Sequence, residues 1–114
     1  MRIFIVTLGF VFAAMPARAE TIGPADVKGH AGQTVTVEAA ISDVRTLRSG
    51  VTFIDIGGRY PDNDFTAVIF AADAAKFPNA GALDGKTVVI SGPVQLYQGR
   101  PEIILKSADQ LKAK

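Results

Sequence analysis

Residues 50–70 read GVTFIDIGGRYPDNDFTAVIF, and the rest of the chain arranges itself around them. Val51 to Ile56 and Phe65 to Phe70 are short runs of β-branched and aromatic side chains, the types that fit a pleated, half-buried surface. Gly57-Gly58 and Pro61-Asp62-Asn63-Asp64 separate them with turn formers. The stretch predicts a hairpin whose connection presents Arg59 and Tyr60 at a loop where a ligand would meet them.

Upstream, Gln33 to Val44 alternates. Val35, Val37, Ala39 and Ile41 share one face, and Thr34, Thr36 and Glu38 share the other, which predicts a strand buried on one side. Thr46 to Gly50 turns the chain into the hairpin, flanked by Arg45 and Arg48. Before the strand, Pro24 opens one or two helical turns that cover one end of the domain. Downstream, Ala71 to Phe77 reads as a short helix, with Asp73 as N-cap or first-turn acid and Pro78 as its stop. Ala75 and Phe77 suit a plug for the bottom of a barrel. Lys86 to Tyr97 is a strand interrupted by Gly92-Pro93, a pair that marks a bulge or bend. Gln98-Gly99 turns it into a last strand, Arg100 to Lys106. Ser107 to Leu111 is a final helical turn, and residues 112–114 form a polar tail.

The order is β-β-β-α-β-β, without repeats or low-complexity segments. It predicts an all-β fold with one short helix: a five-stranded OB-fold Greek-key barrel. A different small barrel or roll with an inserted helix competes with it.

The chain has 114 residues, one domain's worth. Met1-Arg2 is basic, Ile3 to Met15 is apolar, and Ala17-Arg18-Ala19 places small residues before Glu20, the order of a secretory signal peptide with cleavage after Ala19. The expected division is residues 1–19 as signal and 20–114 as a single OB-fold domain, periplasmic or secreted. The apolar run is too short to span a bilayer, so no stable membrane insertion is expected after cleavage. Removing the signal takes Arg2 and Arg18 with it. Ten lysines and arginines then face eleven acids, a net charge of −1 in place of +1. That balance excludes the strong basicity of tight non-specific nucleic-acid binders. With no cysteine, packing and hydrogen bonds carry stability. The single histidine, His30, lacks partners for a metal site and reads as a surface or capping residue. No cofactor or metal is expected.

The phrases HAGQTVTVEAAISDV, GVTFIDIGGRYPDNDFTAVIF, LDGKTVVISGPVQLY and GRPEIILKSADQL occur in this order. Together they resemble small exported bacterial OB-fold domains, which stand alone or are fused to secreted nucleases. The resemblance runs from about Ile22 to Leu111, and FTAVIF and GRPEI are its more specific pieces. It implies a nucleic-acid-binding OB-fold. The fold by itself does not settle a function.

OB-folds take ligands across the second and third strands, between the loops joining strands one to two and four to five. Those loops hold Arg45, Arg48 and Ser49 on one side and Gln95, Tyr97, Gln98 and Arg100 on the other. The hairpin adds Arg59 and Tyr60. These four arginines and two tyrosines are all that the chain has after residue 19. Arginine forks onto phosphate or stacks on a base, and tyrosine offers a stacking ring. Arg45, Arg48, Arg59, Tyr60, Tyr97 and Arg100 are therefore the candidate nucleic-acid-binding residues, with single-stranded nucleic acid as the expected partner. The near-neutral charge leaves a second reading, an envelope module that binds protein, glycan or a small ligand. A metal-dependent nuclease built on Asp55, Asp62 and Asp64 is a third. The Pro-Asp-Asn turn explains two of those acids by backbone geometry alone, Asp55 is expected on a strand face toward solvent, and a general base is missing. No catalytic residue is assigned.

Overall fold

The computed structural model describes residues 20–114, and the signal-peptide reading of residues 1–19 lies outside the described residues. The described residues form seven strands: β1 (Glu20–Ile22), β2 (Thr34–Thr46), β3 (Thr52–Ile56), β4 (Phe65–Ile69), β5 (Thr87–Tyr97), β6 (Arg100–Ile104) and β7 (Leu111–Ala113). Five of them close a barrel in the order β2-β3-β4-β6-β5, with β5 returning to β2. The β4–β6 pair is parallel and the other barrel pairs are antiparallel. This is the OB-fold, and the five expected strands are its β2 to β6.

Closure depends on two long strands that each serve two neighbours. Residues 34–40 of β2 pair with β5, and its continuation from Ile41 pairs with β3. Residues 87–93 of β5 pair with β2, and residues 94–97 pair with β6. Each strand changes partner at a local irregularity. In β5 this is the expected Gly92 bend: Gly92 is buried with φ +153, and a Cβ there would lie 2.8 Å from the Ile103 side chain. In β2 it is a bulge, because the register slips by one between Ile41 and Asp43 and leaves Ser42 unmatched. The Ser42 hydroxyl accepts a hydrogen bond from the Gly58 amide at 2.9 Å.

The bulge has a large effect on side-chain direction. Val35, Val37 and Ile41 point into the core, as the alternation predicts. Past Ser42 the phase inverts, since one extra residue moves every following side chain to the other face. Val44 then turns inward against Ile54, and Asp43 and Arg45 turn outward.

Short 3-10 helices close the barrel ends. The Pro24–His30 helix covers one end as expected and buries Val27 completely. His30 Nδ1 sits 2.8 Å from Gln33 Oε1. The helix expected over Ala71 to Phe77 is a 3-10 helix, Ala71–Lys76, that buries none of its residues. Ala75 is exposed and plugs nothing; Phe77, just beyond the helix, does enter the core. Asp73 is a first-turn acid that pairs with Lys76 at 2.8 Å. A third 3-10 helix, Ala80–Leu83, follows it.

Both ends of the described segment add strands that sequence reading left irregular. β1 runs parallel to β2, and β7 runs antiparallel to β5 where a polar tail was expected. Gln110 holds the C-terminal strand in place. Its Oε1 accepts from the Lys106 and Ser107 amides, and its Nε2 donates to the Ser91 and Ile104 carbonyls, all within 3.0 Å.

Candidate functional site

The outer face of the barrel over β3, β4 and β6 carries a row of polar side chains in register. Asp43, Asp55, Thr66, Glu102 and Gln95 are successive cross-strand partners from β2 to β5. A neighbouring row holds Arg45 and Phe53, and Arg100 pairs with Tyr97 at the far side. Three connections rise around this face: the β2–β3 turn with Leu47, the β3–β4 loop with Tyr60 and Asn63, and the β5–β6 hairpin with Tyr97 and Gln98. They enclose a cleft of about 320 Å³.

Asp55 was expected to face solvent, and it is on the outer face, but it has no exposure at all. Arg45 covers it. Its Nε donates to Oδ2 at 3.1 Å and its Nη2 to Oδ1 at 3.0 Å. Thr66 Oγ1 adds a third donor at 3.2 Å, and Asn63 Nδ2 donates to Thr66 Oγ1 at 2.7 Å. A buried charge needs this degree of satisfaction to be tolerated. Asn63 Oδ1 is buried with no hydrogen-bond partner among the described residues.

The same guanidinium organises the aromatic wall. Its carbon lies 5.0 Å from the Phe53 ring centroid and 5.1 Å from that of Tyr60. Arg100 sits 4.8 Å from the Tyr60 centroid and donates to the Pro61 carbonyl at 3.1 Å. Cations this close to aromatic faces hold them by about 0.5–1 kcal/mol each at exposed sites. Tyr60 is thus fixed from two arginines while remaining 54% exposed, and Tyr97 is 55% exposed. The loop that carries Tyr60 closes tightly. Gly57 has φ +76, and any side chain there would collide with the Asp64 carboxylate.

Glu102 lies in the cleft, partly buried. Burial pushes its carboxyl above the ordinary 4.5, and the Gln95 side chain draws it partway back. Among the described residues it takes part in no ion pair.

Of the six candidate binding residues, Arg45, Tyr60, Tyr97 and Arg100 line this one cleft. Arg48 stands exposed at the tip of the β2–β3 turn and Arg59 is exposed in the β3–β4 loop; neither lines it. Arg45 is bound to a carboxylate rather than open to a ligand. Sequence reading missed Phe53, Asn63, Thr66 and Glu102 as cleft residues. One signal was present: an aspartate inside the apolar run Thr52–Ile56 implies a partner, because aspartate is almost never fully buried without one. Among the described residues no three His, Cys, Asp or Glu side chains converge as a metal site.

No protein-family model and no curated protein matches the chain. Solved structures do. A candidate aspartyl-tRNA synthetase from Leishmania major Friedlin aligns over 93% of this chain and 23% of its own, with TM-score 0.62 and 13% identity. Asparaginyl-tRNA synthetase from Pyrococcus horikoshii aligns over 81% of this chain and 22% of its own, with TM-score 0.60 and 17% identity. OBody AM1L10, bound to hen egg-white lysozyme, aligns over 88% of this chain and 98% of its own, with TM-score 0.64 and 16% identity. The chain spans under a quarter of either synthetase. At these identities the likeness establishes the OB-fold.

Proposed function

We propose that this is an exported, non-catalytic OB-fold protein that binds single-stranded oligonucleotides across β3, β4 and β6. The observation that carries the reading is the pair of exposed tyrosines, Tyr60 and Tyr97, at one cleft on the face where OB-folds take ligands. Stacking a base on an aromatic ring contributes about 1–3 kcal/mol and tolerates any sequence. Two of the matched structures are tRNA synthetases, enzymes that act on an RNA, which supports a nucleic-acid ligand. The resemblance to exported bacterial domains, including those fused to secreted nucleases, points the same way. Fluorescence anisotropy with labelled thymidine octamers at low salt tests it: saturable binding is expected, and its absence ends the proposal. Export is tested by the N-terminus of the protein recovered from an envelope fraction, expected at Glu20; an intact Met1 overturns it.

A second reading, an envelope module for a protein or glycan, is favoured by one observation. The ion pair of Arg45 with Asp55 removes a positive charge from the cleft. The OBody complex with lysozyme is an instance of this fold holding a protein. Recovery of a nuclease-resistant envelope partner with the wild-type protein, lost in Tyr97→Ala, would favour it.

A further inference from the structure

The oligonucleotide reading says little about which base the cleft prefers, and Glu102 bears on that question. It is a carboxylate of the cleft that forms no ion pair among the described residues and takes a hydrogen bond from the neutral Gln95 side chain. Asp55 is gripped by Arg45 and Thr66, and the Asp64 carboxylate is turned onto Gly57. Glu102 sits two residues along β6 from Arg100, whose register partner is the exposed Tyr97. Two strand residues span about 7 Å. A purine stacked on Tyr97 with its edge toward the barrel therefore brings that edge to Glu102, with Gln95 opposite it across the β5–β6 pair.

We infer that the cleft selects guanine, read by the Glu102 carboxylate through the paired N1–H and N2–H donors of its Watson–Crick edge. This inference rests on the oligonucleotide reading above. The chemistry separates the bases. Guanine presents two adjacent donors, which match the two oxygens of a carboxylate. Adenine and cytosine present one amino group beside an acceptor nitrogen, which repels the second oxygen. Thymine presents one N–H between two carbonyls. A carboxylate drawn partly out of water is better suited to this than an exposed one, because a half-desolvated acceptor gains more from a matched pair of donors. A matched bidentate contact discriminates by about 1–3 kcal/mol, roughly five- to 150-fold.

The experiment compares three thymidine octamers, carrying two guanines, two inosines or neither, by anisotropy against the wild type and Glu102→Gln. Inosine keeps N1–H and lacks the N2 amine. The guanine octamer is expected to bind about tenfold tighter than the plain one, with most of the gain lost on inosine. Glu102→Gln is expected to erase the preference, so that guanine, inosine and plain octamers bind it alike. Equal affinities for guanine and inosine octamers in the wild type overturn the inference whether or not the variant folds. If thymidine octamers bind and guanine adds nothing, the inference fails and the oligonucleotide reading stands. If no octamer binds, both fail; a hexa-arginine peptide that binds through Glu102 under the same conditions would assign the carboxylate to a protein partner.

Discussion

Arg45 meets Asp55 through two parallel hydrogen bonds of 3.1 and 3.0 Å, and this pair is both the support of the cleft and its charge balance. Its two ends are unequal. Asp55 is fully buried, whereas the Arg45 side chain keeps 35% of its exposure. Removing the arginine strands a buried carboxylate. Removing the charge on the aspartate leaves an arginine that water still reaches. Arg45→Ala is therefore expected to cost about 3 kcal/mol, the lower end for breaking a buried pair, and Asp55→Asn about 1 kcal/mol. Urea unfolding followed by circular dichroism ranks the two. Equal losses would contradict the asymmetry drawn from the unequal burial of the two ends.

The same pairing is expected to set the salt response of the proposed oligonucleotide binding. Four arginines on phosphates would give a slope of log K against log salt of about −2.8 for a single strand, and one would give about −0.7. With Arg45 neutralised and Arg48 and Arg59 outside the cleft, a slope near the shallower value is expected. Asp55→Asn should steepen it by releasing Arg45. Titration at several salt concentrations reads both slopes directly.

Tyr97 is more than half exposed, so its removal separates binding from folding. Tyr97→Ala is expected to weaken oligomer binding by about 1–3 kcal/mol with no change in melting temperature. Arg48→Ala and Arg59→Ala should leave binding at moderate salt within about twofold of the wild type. A large loss from either would mean that the ligand runs outside the cleft.

Glu102 gives a pH prediction of definite sign. Its pKa is raised in the folded state, first by burial, so the folded protein holds this proton more tightly than the unfolded chain does. The stabilising contribution is complete below the unfolded pKa and disappears as pH rises through the folded one. At neutral pH an ionised Glu102 is thus a net cost. Glu102→Gln should melt higher than the wild type at pH 7, with the difference closing below about pH 4. Melting curves across this range check it. A lower melting point for the variant at pH 7 would contradict the burial effect.

Much of the barrel was legible because its signals are local. Alternation set the inward face of β2 as far as Ile41, and the Gly92-Pro93 pair marked the bend in β5. The cleft was less so, because its defining contacts are not local. Nothing in the composition of Leu111–Ala113 marks a strand; Gln110 fixes it by bonds that reach back to Ser91. The burial of Asp55 depends on a partner ten residues earlier, on another strand. Arg48 and Arg59 looked equivalent to Arg45 and Arg100 as loop residues, and only the closed barrel separates them.

Ser42 makes the chemistry of this protein depend on counting. The letters from Asp43 to Thr46 carry no face of their own; the bulge that absorbs Ser42 assigns it. A chain that kept Ser42 but straightened the bulge would drive Asp43 and Arg45 toward the core and Val44 toward water, with every amino acid of the cleft unchanged, whereas a chain lacking Ser42 would keep all three on their present faces as a regular strand. The outward face of Arg45 thus rests on a bulge that the Ser42 hydroxyl ties to the Gly58 amide.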